Sequence, residues 1–126
     1  MPGLHVLLID DEEAFVTTLQ ERLELRDIKA QVALDGTTGL ARLTEQQPDV
    51  VVLDLRMPGL SGLEVLKYIR QTWPNLPVIM LSGHGSDQDC QTCLDLGADV
   101  YHRKPLDIDV LLASITQVVH TRTVQS

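Results

Sequence analysis

Aromatic side chains are nearly missing from this chain of 126 residues: Phe15, Tyr68, Trp73 and Tyr101 are all it has. Its core must therefore be aliphatic. Cysteine is as scarce. Cys90 and Cys93 could close one tiny loop at most, which excludes a disulfide scaffold and makes a reducing compartment the default. Positive charge is also short: Lys plus Arg number 10 against 18 Asp plus Glu, for a formal net charge of -8. Sequence-independent binding to nucleic acid or to an anionic membrane needs clustered cations, so both are poor expectations. No apolar run approaches the ~18 residues of a membrane span. Residues 1–5 lack the basic start and long apolar stretch of a signal peptide. A soluble cytoplasmic protein is expected.

The chain has 44% hydrophobic and 22% charged residues, which excludes disorder. A single domain over 1–126 fits the usual domain length, with roughly two thirds of the unfolded surface buried on folding. There is no internal repeat. The polar end, Thr121–Ser126, reads as a tail or the start of a linker.

Apolar runs and helical stripes alternate along the chain. Leu4–Ile9, Asp49–Leu53, Leu76–Leu81 and the weaker Ala98–Tyr101 read as strands. Within the first two, Val6–Ile9 and Val50–Leu53 have no polar face, as expected of strands covered on both sides in a parallel sheet. Ile28–Leu34 alternates apolar and polar residues and reads as an edge strand. Between the runs, Phe15, Leu19 and Leu23 keep helical spacing, as do Leu63, Leu66, Ile69 and Trp73. Leu40 and Leu43 follow an Asp35-Gly36 turn. Ser61 with Glu64, and Ser86 with Asp89, are capping-box signatures. Gly97 is a stop signal. Asp107 can cap a last helix bearing Leu111, Ile115 and Val118. The alternation βαβαβαβαβα predicts an open parallel sheet with helices on both faces.

Right-handed crossovers send every strand's C-terminal end to one rim, where such sheets bind ligands. The groups that follow the runs are Asp10 and Asp11, Asp54, Ser82, and Arg103-Lys104-Pro105. Neighbouring strands lie about 4.8 Å apart, so these groups can converge. Two carboxylates ~4 Å apart repel by about 1 kcal/mol in bulk water and by about 4 at an effective dielectric of 20. A cation must offset this. Lys104 supplies one charge, and the all-oxygen set suits a hard divalent ion, Mg²⁺ best. Carboxylates, a lysine, a hydroxyl and such an ion together make a phosphoryl site.

Ile9-Asp10-Asp11-Glu12, Leu53-Asp54-Leu55-Arg56-Met57-Pro58-Gly59, Leu81-Ser82-Gly83, Gly97-Ala98-Asp99, and Tyr101 ahead of Lys104-Pro105 together resemble a two-component response-regulator receiver domain. The blocks occur in order and span essentially the whole chain. The resemblance implies a flavodoxin-like α/β fold, doubly wound, with five parallel strands in the order 2-1-3-4-5 and five helices. It implies that Asp54 takes a phosphoryl group from a phosphohistidine. Asp11 and Asp54 would bind Mg²⁺ directly, Asp10 mainly through water, and the Arg56 backbone carbonyl would be a further ligand. Lys104 would pair with a phosphoryl oxygen, Ser82 would swing its hydroxyl to the phosphate, and Tyr101 would turn inward as Ser82 moves. The Lys104–Pro105 bond is often cis in this family. The chain would be a phosphorylation-driven signalling switch rather than an enzyme, assisting its own phosphorylation and dephosphorylation. Implied partners are a histidine kinase or histidine phosphotransfer protein, a downstream output domain or protein, and a second copy in a homodimer. Whether the receiver stands alone or is linked to an output module stays open.

Other readings fit less well. A haloacid-dehalogenase-type Mg²⁺ phosphatase needs Asp-x-Asp after the first strand, where this chain has adjacent acids. In a flavodoxin-like electron carrier, the acids Asp10 to Glu13 would repel the flavin phosphate. A P-loop is excluded by its missing motif. Cys90 and Cys93 fall within an expected helix and read as small core-facing residues rather than a redox motif. Arg56 and His84, each two residues beyond a key position, are expected to border the phosphoryl pocket and tune its rates. His102 stands where the family often has an apolar residue.

Overall fold

The computed structural model describes residues 3–83 and 85–125, with the side chains of residues 122–125 left aside. The elements alternate as β1 (His5–Ile9), α1 (Glu13–Glu24), β2 (Lys29–Ala33), α2 (Gly36–Glu45), β3 (Val50–Asp54), α3 (Gly62–Thr72), β4 (Val78–Ser82), α4 (Asp87–Asp95), β5 (Val100–Arg103) and α5 (Ile108–Gln125). Every pairing is parallel, and the order is β2-β1-β3-β4-β5. This is the flavodoxin-like arrangement. Each expected run begins before its strand, and β3, β4 and β5 also extend past their runs. Asp54 and Ser82 are consequently the last residues of β3 and β4, held by the sheet rather than by loops.

The polar-free runs are central strands: every residue of β1, β3 and β4 is buried. Strand alternation divides their side chains between two cores. Leu7, Ile9, Val51, Leu53, Val78 and Met80 pack with Leu43, Val65, Leu66, Ile69 and Cys93 under α2, α3 and α4. Val6, Leu8, Val50, Val52, Ile79 and Leu81 pack with Val16, Leu23, Leu111, Ile115 and Val118 under α1 and α5. β2 and β5 are the edges, and their burial is only partial.

The helix signals do what their chemistry predicts. Ser61 and Glu64 form a reciprocal capping box on α3, and Ser86 and Asp89 form another on α4. Asp35 caps α2 by accepting the Thr38 amide at 2.7 Å. Gly97, at φ 106, ends α4: its N–H donates to the Leu94 carbonyl, and that of Ala98 to the Cys93 carbonyl. A left-handed glycine with this bonding satisfies the last carbonyls of a helix. α5 continues through Gln125, so helix occupies most of the stretch that reads as a polar tail. Ser126 lies outside the described residues.

At the N-terminal end of the strands, Arg70 ties three segments together. Its Nε donates to the Gly97 carbonyl at 2.8 Å, its Nη1 to the Leu76 carbonyl at 2.6 Å, and its Nη2 to Asp99 Oδ2 at 3.0 Å. The same Asp99 oxygen accepts the Val78 amide at 2.9 Å. One guanidinium thus fixes the end of α3, the entry to β4 and the turn after α4.

Candidate functional site

The rim at the strands' C-terminal ends gathers Asp10, just past β1, Asp54 at the end of β3, Ser82 at the end of β4 and Lys104, just past β5. Asp10, Asp54 and Ser82 are buried. Lys104 reaches into the cluster with a side chain only 9% exposed. Its Nζ lies 2.8 Å from Asp10 Oδ2, 2.7 Å from Glu12 Oε1 and 3.8 Å from Asp54 Oδ1. The Phe15 ring, 4.5 Å from Nζ, closes one side. The Lys104–Pro105 peptide is cis.

Three carboxylates facing one ammonium leave the pocket with excess negative charge. Burial, together with the Asp10 charge, pushes the Asp54 carboxyl up to about 7, against the pull of Lys104. Burial also raises Asp10, opposed by its hydrogen bonds to Lys104 and to the Glu12 amide. Burial works against the Lys104 ammonium, but hydrogen bonds to Asp10 and Glu12 outweigh it and hold the pKa above the ordinary lysine value. Ligand oxygens of Asp10, Glu12 and Asp54 all lie within 4.8 Å of one another. A hard divalent cation is the species this donor set fits, since it relieves the repulsion and binds carboxylate oxygen.

Glu12 is the residue that sequence reasoning left without a role. The third acid in a row reads as a solvated helix start, and nothing local announces that it meets a lysine 92 positions away. Asp11 is exposed and stands outside the three-acid cluster, although its charge is felt at Asp54.

Glycines let the surrounding loops close on the pocket. A Cβ on Gly62 would overlap the Asp54 carbonyl oxygen and lie 2.7 Å from Leu55 Cα. Backbone cannot yield as a flexible side chain can. Gly62→Ala is therefore expected to destabilise the fold by about 3 kcal/mol, the cost of severe overpacking, read as a lower urea midpoint. A Cβ on Gly85 would collide with the Tyr101 hydroxyl. Tyr101 is therefore already turned in beneath the β4–α4 connection. Burial raises its hydroxyl pKa, and the nearby Ser82 hydroxyl opposes that shift.

Arg56 extends from the loop after β3 to Asp89. His84 lies outside the described residues. His102 Nε2 is 2.7 Å from Ser114 Oγ, so the imidazole joins β5 to α5 through a polar contact. Burial lowers its pKa. Cys93 is fully buried and Cys90 partly so. Burial pushes the Cys93 thiol up to about 11, which fits an inert packing residue. Beside the acid pocket, a cavity of about 400 Å³ lies between α1 and the β5–α5 turn, lined by Phe15, Leu19, Arg22, Leu81, Leu106 and Ile108. No helix among the described residues is long and apolar enough to cross a membrane.

Fold and site define a doubly wound α/β domain with a carboxylate–lysine pocket at its strand ends. Residues 6–116 match the family model of the response regulator receiver domain. The transcriptional regulatory protein YkoG of Bacillus subtilis is 42% identical over 111 residues, which cover 88% of this chain and 49% of that protein. AfsQ1 of Streptomyces coelicolor, also a transcriptional regulatory protein, is 41% identical over 119 residues, covering 94% of this chain and 52% of that protein. A response regulator receiver domain from Clostridium thermocellum superposes with a TM-score of 0.92 at 31% identity, covering 98% of this chain and 99% of that one. The chain belongs to the response regulator receiver domain family. It spans about half the length of the curated relatives it matches. It is a signalling domain of the two-component type, and the phosphatase reading is not favoured.

Proposed function

We propose that Asp54 accepts a phosphoryl group from a phosphohistidine of a histidine kinase or phosphotransfer protein. One observation carries this reading: Asp54, the last residue of β3, is a buried carboxylate at the sheet's rim with its oxygen 3.8 Å from Lys104 Nζ, inside a cluster of acids. An Asp54 oxygen attacks phosphorus, the P–N bond breaks, and its electron pair leaves with the imidazole. An acyl phosphate remains on Asp54. The ionised carboxylate is the nucleophile, so a pKa near 7 leaves the free site only partly armed. Lys104 favours the charged form and then meets a phosphoryl oxygen.

Mg²⁺ would be held by Asp10, Asp11, Asp54 and the Arg56 carbonyl, and it supplies charge neutralisation to the transferring group. The position of Glu12 in the cluster adds that carboxylate to the candidate ligands. Ser82 donates its hydroxyl to a phosphoryl oxygen, and that movement holds Tyr101 in the turned-in position it already occupies, shifting the population of forms of the α4–β5–α5 face. The same machinery assists phosphorylation and loss of the phosphoryl group. The apolar cavity against Phe15 and Leu106 adjoins the pocket and offers the protein donor a contact surface. An output domain or protein, in the cytoplasm, reads the altered face, and a second copy can do so in a homodimer.

Incubation with acetyl phosphate and Mg²⁺, followed by intact mass, is expected to add one phosphoryl group to the wild type and none to Asp54→Asn. An unmodified wild type sinks the reading.

A further inference from the structure

Two arginines stand close in sequence to pocket residues, and both are tied to the start of α4. Arg103, immediately before Lys104, places Nη2 2.6 Å from Asp87 Oδ1, and its Nη1 donates to the Gly85 carbonyl. Its guanidinium lies 6.0 Å from the Tyr101 ring centroid, on the strand face that Tyr101 and Arg103 share by alternation. Arg56, two residues beyond Asp54, donates from Nη2 to Asp89 Oδ2 at 2.9 Å. It lines a pocket of about 420 Å³ with Leu55, Met57, Ser61 and Asp89. Arg56 thus connects the segment that follows Asp54 to the first turn of α4.

We propose that Arg56 is a shared counter-ion. Asp89 holds it while Asp54 is bare; a phosphoryl group on Asp54 takes it over and unties the start of α4 from the loop after β3. This rests on the reading of Asp54 as phosphoryl acceptor. No covalent bond changes in the exchange. Asp89 offers one negative charge, whereas the phosphoryl group brings more charge and three strong acceptor oxygens, which a guanidinium can bind through two parallel hydrogen bonds. The existing tie is easily broken. The Arg56 side chain is 60% exposed, and exposed pairs contribute little. The helix cap does not depend on the arginine: Asp89 accepts the Ser86 amide at 3.0 Å, and Ser86 Oγ accepts the Asp89 amide at 3.0 Å. α4 therefore keeps its helical start and its Arg103 contacts while losing its tether to the loop after β3.

A double-mutant cycle tests the exchange. In the free protein, the effects of Arg56→Gln and Asp89→Asn on amide exchange in the first turn of α4 are expected to be non-additive by about two- to fivefold. With Mg²⁺ and beryllofluoride bound as the phosphoryl mimic, that coupling disappears. Arg56→Gln then shifts a fluorine resonance of the bound mimic, and Asp89→Asn leaves it in place. A coupling absent from the free protein, or undiminished in the complex, overturns the proposal. So does a coupling lost while Arg56→Gln leaves the fluorine spectrum unmoved, because α4 has then shifted as a body. If beryllofluoride does not bind and acetyl phosphate leaves the mass unchanged, the acceptor reading itself fails and takes the exchange with it.

Discussion

Asp54→Asn is expected to raise the metal-free melting temperature by roughly 5–10 °C near pH 7.5 while abolishing phosphoryl uptake. The unfolded chain releases the Asp54 proton near the ordinary aspartate value of 3.8, whereas the folded carboxyl holds it to about 7. Between those values the folded state binds more protons, so stability falls as pH rises through the window and stays low above it. Each unit of pKa difference corresponds to about 1.4 kcal/mol. Relief of about 2 kcal/mol leaves room for the attraction to Lys104 that Asn forfeits. Melts in chelator from about pH 4 to pH 8 should show the wild type losing stability through this window and the variant losing less. Parallel curves would refute the account. Mg²⁺ should raise the wild-type melting temperature by mass action and move the variant less.

Lys104→Met acts in the opposite direction. The ammonium is 9% exposed and contacts Asp10 and Glu12 directly. Removing it leaves buried carboxylates facing one another, a loss of about 3 kcal/mol. The folded lysine pKa lies above the ordinary value, so its stabilisation is fully present at neutral pH and fades only as pH climbs through that raised value. The deficit of Lys104→Met should shrink as acid protonates Asp54 and Asp10, and Asp54→Asn in the same chain should restore part of it. Equal urea midpoints for wild type and Lys104→Met near pH 7.5 would show that the ammonium carries no such load. Phosphoryl uptake should also slow sharply.

These two side chains were legible in the sequence because position betrays them. A polar residue that ends a wholly apolar strand has few places to go except the sheet's rim, and Asp10, Asp54, Ser82 and Lys104 all sit at strand ends. The capping boxes at Ser61 and Ser86 were equally plain, because their partners stand three residues apart. Contacts between distant elements leave no periodicity. Glu12 with Lys104, Arg56 with Asp89 and Arg70 with Asp99 are separated by 92, 33 and 29 positions. Each of these acids reads in isolation as an ordinary cap, turn or solvated charge. Gly62 was silent for a related reason: its need for a missing side chain comes from the backbone of Asp54 and Leu55, which only the folded chain brings close.

The Arg70 contacts also determine how α4 can travel. They secure Gly97 and Asp99, just beyond one end of the helix, while the ion pairs described at the opposite end each involve a largely exposed arginine. A nine-residue rod is about 13 Å long. For a rod held at its far end, a tilt of about 10° would displace the opposite tip by roughly 2 Å. Any change at the acid pocket that reaches Asp87 or Asp89 therefore acts at the tip, the part of the rod farthest from its Arg70 anchor.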